Sequence, residues 1–322
     1  MKSVITSRLS PALAVLGLIS LALVSGCTTS ALDIQPDTDI TPRLARQIAA
    51  KGFRPGDPVL IRIFKAESEF EIWKKKPNGD YALFKTYPIC RWSGKLGPKT
   101  KIGDRQAPEG FYSVSLGQLN PNSQYYLSFN LGYPNRLEGA LGYSGEALMV
   151  HGACSSSGCF ALTDQAMAEI YPIVLKALKS GQPAFQVQAF PFRMNDQNMT
   201  AHAGDPNMNF WRTLKVGYDY FQTTRKEPVV GACSSRYVFN QPAGSLPESP
   251  LAPCLSEPAI AAAPQSLPSA ATAYAYQDGG MHKSFREILE RYGAKRMASR
   301  ISLKKYPVSR PQAALADPYQ PQ

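Results

Sequence analysis

The stretch ALMVHGACSSSGCFALTD, Ala147–Asp164, decides how the rest of the chain is read. Leu148, Met149 and Val150 form an apolar run that ends in His151, the pattern of a buried strand delivering one polar side chain to a surface. Gly152 and Gly158 bracket Ala153, Cys154, Ser155, Ser156 and Ser157, a loop of side chains too small to block a pocket. Glycine at both ends lets the backbone turn sharply and approach a ligand closely. Cys159 follows, and Thr163-Asp164 before QAMAEIYPIVLKAL predicts an N-cap opening an amphipathic helix. A thiol attacks as thiolate, and an imidazole within hydrogen-bond reach can take its proton. An extended chain would hold His151 and Cys159 roughly 25 Å apart. A strand, a tight loop and a return bring them together. The residues alone therefore nominate a Cys159/His151 acyl-transfer dyad, with Gly158, Ser157, Ser156 and Gly152 shaping the loop and backbone N–H groups near Gly158 and Cys159 facing an oxyanion.

The pattern H-G-x-C-x-S-x-G-C-x-A-x-T-D resembles the signature of the murein L,D-transpeptidases with a YkuD-type catalytic domain, in particular their YafK-like branch. Further matches run in order: GKLGPKTKIGDRQAPEGFY at Gly94–Tyr112, LSFNLGYPN at Leu127–Asn135 and FPFRM at Phe190–Met194. One departure stands, since the branch carries a basic G-R-x-G before the catalytic strand and this chain has Gly142-Tyr143-Ser144-Gly145. The resemblance implies a cysteine-dependent L,D-transpeptidase with Cys159 as nucleophile and His151 as proton carrier. It also implies peptidoglycan stem peptides as substrate, and no cofactor. A peptidoglycan hydrolase, acting as endopeptidase or carboxypeptidase on stem peptides or on lipoprotein–peptidoglycan links, would use the same two residues. A non-catalytic cell-wall-binding lipoprotein is the third reading.

Outward from the motif, the expected organisation is mainly β with helices (α+β). VLIRIF, FEIWKK, YALFKTYPI and FYSVSL read as short strands divided by turn signals such as Pro77-Asn78-Gly79-Asp80. The resemblance makes this a YkuD-like β-sandwich over residues 57–225, followed by a Pro/Ala-rich tail. Within it, Gly94–Tyr112 reads as a long loop beside the cleft whose lysines face solvent. Tyr133, Asn135 and Phe129 are candidate substrate contacts, aromatic and amide groups suited to a peptide-sugar ligand, although Phe129 alone fits a core position better. Trp211, Tyr218 and Phe221 read as the core face of a helix over Asn209–Phe221, and His202 as a surface residue. Residues 226–322 are dominated by Pro, Ala and Ser through Gln277, a composition that cannot bury enough apolar surface to fold alone. One basic helix is predicted there at about 284–307.

The start reads as a lipoprotein signal peptide over residues 1–26: Lys2 and Arg8, an apolar Pro11–Val24, then Val24-Ser25-Gly26-Cys27, which resembles a lipobox. Lipidation at Cys27 would anchor the protein to a membrane without spanning it, and Thr28 at the next position points to the periplasmic face of the outer membrane. Residues 27–56 are a tether with a short helix. Removing residues 1–26 lowers the net charge from +11 to +9, since Lys2 and Arg8 leave and no acid does. Such charge suits the carboxylates of peptidoglycan. A nucleic-acid partner is disfavoured because the basic residues are dispersed and the compartment is wrong. A cell-wall-linked lipoprotein is a second candidate partner.

The chain has six cysteines, five of them beyond Cys27. An oxidising compartment and one free catalytic thiol leave two disulfides, with Cys233–Cys254 and Cys90–Cys154 the candidate pairs. Cys154 bonded to Cys159 instead would mask the nucleophile. His151, Cys154 and Cys159 offer three soft ligands, but structural zinc takes four and no fourth lies nearby, so no metal is expected.

Overall fold

The computed structural model describes residues 36–255. The expected signal peptide, Cys27 and the predicted basic helix lie outside the described residues. Nine strands build two sheets. The first sheet has the order β3-β2-β1-β9-β4, from β1 (Val59–Phe64), β2 (Glu69–Lys75), β3 (Tyr81–Pro88), β4 (Gly110–Ser115) and β9 (Ala184–Phe190). The second has the order β5-β6-β7-β8, from β5 (Leu119–Ser123), β6 (Tyr126–Asn130), β7 (Met149–His151) and β8 (Phe160–Ala161). Pro121 sits in β5, an edge strand, where a missing ladder donor is tolerated.

β1 is buried at all six positions because it is covered on both faces, as a continuous apolar run implies. Ile61 and Ile63 face one core together with Phe70 and Val187; Phe129, Val150 and Phe160 of the second sheet close on the same core. Between them packs α3 (Asp164–Lys179), which buries Ile170, Ile173 and Val174. Each such side chain contributes about 1.5–3 kcal/mol by leaving water. The Thr163 side chain accepts from Ala166 N and caps α3, with Asp164 in the first turn and Lys176 and Lys179 in the last, the charge order that a helix dipole favours. A short helix, α1 (Pro42–Ala50), packs Leu44 and Ile48 into this core.

The other face of the first sheet presents Phe64, Phe111 and Phe190 to α5 (Met208–Thr224), whose Trp211, Leu214 and Tyr218 complete a second core. Two short helices, α2 (Arg136–Ala140) and α4 (Asp196–Ala201), lie in the connections. β9 lies inside the first sheet, between β1 (parallel) and β4 (antiparallel).

The folded body also runs past the boundary expected at residue 225. β10 (Val230–Cys233) and β11 (Arg236–Phe239) form an antiparallel hairpin, and Cys233 is bonded to Cys254. Ser234 and Ser235 both take positive φ (50° and 60°), as a two-residue hairpin turn requires. Ala232, Tyr237 and Phe239 pack into the second core. At Gly217 of α5 an added Cβ would stand 2.5 Å from the Phe239 ring and 2.6 Å from Phe111, so glycine is what lets the helix and hairpin close together. Averaging composition over a Pro/Ala/Ser-rich stretch hid eight residues of hairpin.

Candidate active site

The registers of β7 bring the nominated pair onto one face. Val150 pairs with Phe160 and His151 with Ala161, both parallel, so Val150 and Phe160 point into the core while His151 and Ala161 point away. Cys159 precedes Phe160 and shares the outer face.

His151 is 3% exposed, and its Nδ1 lies 2.6 Å from the Gly152 carbonyl oxygen. A carbonyl only accepts, so Nδ1 carries the proton and Nε2 is left as a base. The Tyr125 ring lies against the imidazole, 4.9 Å between centroids. Burial pulls the imidazole below its usual value, opposed in part by the Gly152 carbonyl and Asp164. Burial also pushes the Cys159 thiol up, opposed in part by the Met149 N–H and the Lys99 charge. Both shifts favour the uncharged forms of the two groups. Cys159 is the free cysteine among the described residues, half-buried, with Sγ 3.4 Å from Met149 N and 3.9 Å from the Ala147 oxygen.

The turn between the two residues is built to hold them. Gly152 donates to the Tyr125 oxygen, and a Cβ there would meet Asp164 Oδ1 at 2.5 Å. Ala153 and Cys154 both take left-handed backbone conformations (φ 65° and 47°). Ala153 N–H donates to Asp164 Oδ1 at 2.7 Å, and Cys154 is bonded to Cys90 beyond the end of β3. The Thr163-Asp164 pair thus serves twice, capping α3 and receiving the turn. Ser156 Oγ donates to the Cys159 oxygen at 2.6 Å, while Ser157 is exposed.

A family profile described as the YkuD L,D-transpeptidase catalytic domain matches residues 34–188. The chain is also 48% identical over 187 residues to YafK of Escherichia coli (strain K12), whose description places it among the L,D-transpeptidases; the match covers 58% of this chain and 76% of that one. The chain belongs to the YkuD L,D-transpeptidase family, in its YafK-like branch. YafK of Escherichia coli O157:H7 matches to the same extent. Among solved structures, the helical cell shape determining protein Pgp2 of Campylobacter jejuni is similar at 18% identity, 55% of this chain, 68% of that one and a TM-score of 0.36. Bd1075 of Bdellovibrio bacteriovorus is similar at 16% identity, 51% and 62% coverage and a TM-score of 0.31.

Within this L,D-transpeptidase domain several expectations need correction. Gly158 sits at φ 116°, where glycine is required, but its N–H donates to Ser93 Oγ at 2.6 Å and is not free for an oxyanion. Phe129 is wholly buried and packs edge-on against Phe185 at 5.5 Å, so it is core and not a substrate contact. Asn135 is the N-cap of α2: its Oδ1 accepts from Glu138 N, and its Nδ2 donates to the Phe111 oxygen and to Tyr237 Oη. Those bonds use the amide's polar atoms internally and leave it no role at the thiol. Tyr133 is 5% exposed and its hydroxyl donates to the Lys99 oxygen at 3.0 Å, so it braces the cleft loop. Lys99 itself is 3% exposed rather than solvated, tied to Asp104 and to the Lys101 oxygen. Beneath the same loop Lys65 and Glu109 form a fully buried ion pair at 2.9 Å, with Trp211 Nε1 donating to Glu109 Oε2.

The residue that sequence reading missed is Ser93. Its hydroxyl accepts from Gly158 N, donates to the Arg105 oxygen at 2.7 Å and lies 3.3 Å from Ser156 Oγ. A lone serine in RWSGK, 66 positions from the nucleophile, carries no local signal. Among the described residues no three His, Cys, Asp or Glu side chains converge to hold a metal ion.

Proposed function

We propose that the protein is a cysteine-dependent L,D-transpeptidase that acts on peptidoglycan stem peptides through a thioester at Cys159. The observation that carries this reading is the shared outer face of His151 and Cys159 on the parallel β7–β8 pair, with the imidazole tautomer set by the Gly152 carbonyl. His151 Nε2 takes the thiol proton as Sγ attacks the carbonyl at the L-centre of a meso-diaminopimelate residue. The Cys159 N–H is the backbone donor proposed for the oxyanion, since Gly158's is engaged with Ser93. Collapse of the tetrahedral intermediate breaks the C–N bond, and His151 hands its proton to the departing D-Ala amine. An acceptor amine then attacks the thioester, gives its proton to His151 and releases the thiolate, which recovers that proton. Lipidation at Cys27 would hold this chemistry at the periplasmic face of the outer membrane, within reach of the wall.

The test is mass spectrometry of disaccharide-tetrapeptide incubated with residues 28–322 beside Cys159→Ala. Crosslinked dimers, or exchange of the terminal D-Ala for an added D-amino acid, are expected from the wild type alone. Shortened tripeptide without dimer would assign a hydrolase using the same dyad. Turnover retained in Cys159→Ala would overturn the mechanism.

A further inference from the structure

One cation stands with its backbone against the nucleophile's loop. The Arg105 carbonyl carbon is 4.0 Å from where a Gly158 Cβ would be, and the Arg105 oxygen accepts from the same Ser93 hydroxyl that receives the Gly158 N–H. Arg105 is exposed, and its guanidinium has no hydrogen-bond or ion-pair partner among the described residues. Lys99, the charge that acts on the thiol from the inner side, is by contrast committed to Asp104 and the Lys101 oxygen. Arg105 also holds φ 55°, a left-handed conformation that costs a non-glycine residue about 1–2 kcal/mol. Asp104 Oδ1, receiving Gln106 N–H at 2.9 Å, and Ser93 brace it there. Glycine would sit at this position without strain. What the arginine adds is a planar, charged fork, shaped for a carboxylate, on the segment whose backbone packs against the nucleophile's loop.

We propose that Arg105 is a specificity-determining residue of the cleft, receiving a carboxylate of the substrate beside the carbonyl that Cys159 attacks. The identity of that substrate rests on the stem-peptide reading above, where two carboxylates qualify: that of the terminal D-Ala and that on the side chain of meso-diaminopimelate.

The test begins with the thiol and needs no peptidoglycan. In residues 28–322, Cys159 is alkylated by iodoacetate and by iodoacetamide, and the ratio of the two rate constants is compared in wild type, Arg105→Gln and Arg105→Lys. A unit charge within a Debye length of the thiol predicts that Arg105→Gln lowers the ratio roughly three- to tenfold. Arg105→Lys should keep it within about twofold, and salt should erase the wild-type preference. The second arm compares kcat/KM on disaccharide-tetrapeptide, on its C-terminal amide and on its diaminopimelate side-chain amide. Arg105→Gln should lose roughly tenfold on the free acid, mainly in KM, and nothing on the amide that removes the recognised carboxylate. An unchanged alkylation ratio, or an equal loss on the acid and both amides, overturns the proposal. A shifted ratio in a protein that turns over no muropeptide supports the anion-receiving role of Arg105 and refutes the stem-peptide reading instead.

Discussion

Replacing Ser93 by alanine tests whether the catalytic loop is held from outside itself. The substitution removes the acceptor of the Gly158 N–H and the hydroxyl that bridges to the Arg105 oxygen and Ser156. Gly158 is buried, so its N–H is left without an acceptor where water does not replace it readily. An unsatisfied buried donor costs about 1–3 kcal/mol. The Arg105 oxygen, on an exposed loop, regains a water and adds little. For a body of this size each kcal/mol lowers Tm by about 2–4 °C, so the expected fall is roughly 2–12 °C. The effect on turnover should exceed that on stability, because the peptide that loses its anchor is the one carrying Cys159. Misplacing a reacting group by about 1 Å can cost 100-fold, and a loss of roughly 10- to 100-fold in kcat is expected. Ser93→Thr keeps the oxygen and should recover most of both. Thermal unfolding and single-turnover thioester formation measure the two effects separately. Ser93→Ala with wild-type Tm and wild-type kcat would refute the reasoning.

Three further outcomes follow from the geometry. Since burial holds His151 below its usual value, the acid limb of kcat/KM should fall below about pH 6.5. Cys159 is pushed the other way, so its alkylation by iodoacetamide should keep rising past the ordinary thiol range; an acid limb above pH 6.5 would contradict the neutral dyad. Cys90→Ser with Cys154→Ser opens a loop of 64 residues, which on the chain-entropy account removes about 4 kcal/mol. It also frees the turn after His151, so urea unfolding should show the loss and turnover should fall with it. Gly217→Ala drives a methyl into the Phe239 and Phe111 rings and should cost about 1–3 kcal/mol by calorimetry, and an unchanged stability would contradict this packing.

The sequence by itself determined the chemistry-bearing stretch, because its signals are local. An apolar run into His151, two glycines at backbone turns and a Thr-Asp helix start all sit within eighteen residues, and each follows from the properties of its own residue type. Strand positions such as VLIRIF and the helices over Asp164–Lys179 and Met208–Thr224 were legible for the same reason, since hydrophobic period records which face is buried. Only the tertiary structure decided which residues support that stretch. Ser93 reaches Gly158 across 65 positions, and Lys99 is drawn out of solvent by Asp104 and the Lys101 oxygen. Phe129 and Asn135, chemically suited to a ligand, are consumed by the core and by a helix cap. The Val230–Phe239 hairpin folds because α5 offers it a partner face, an energy that no property of residues 226–255 alone contains. Local sequence records what a side chain can do; whether its polar atoms remain available depends on long-range partners, and those are set by packing.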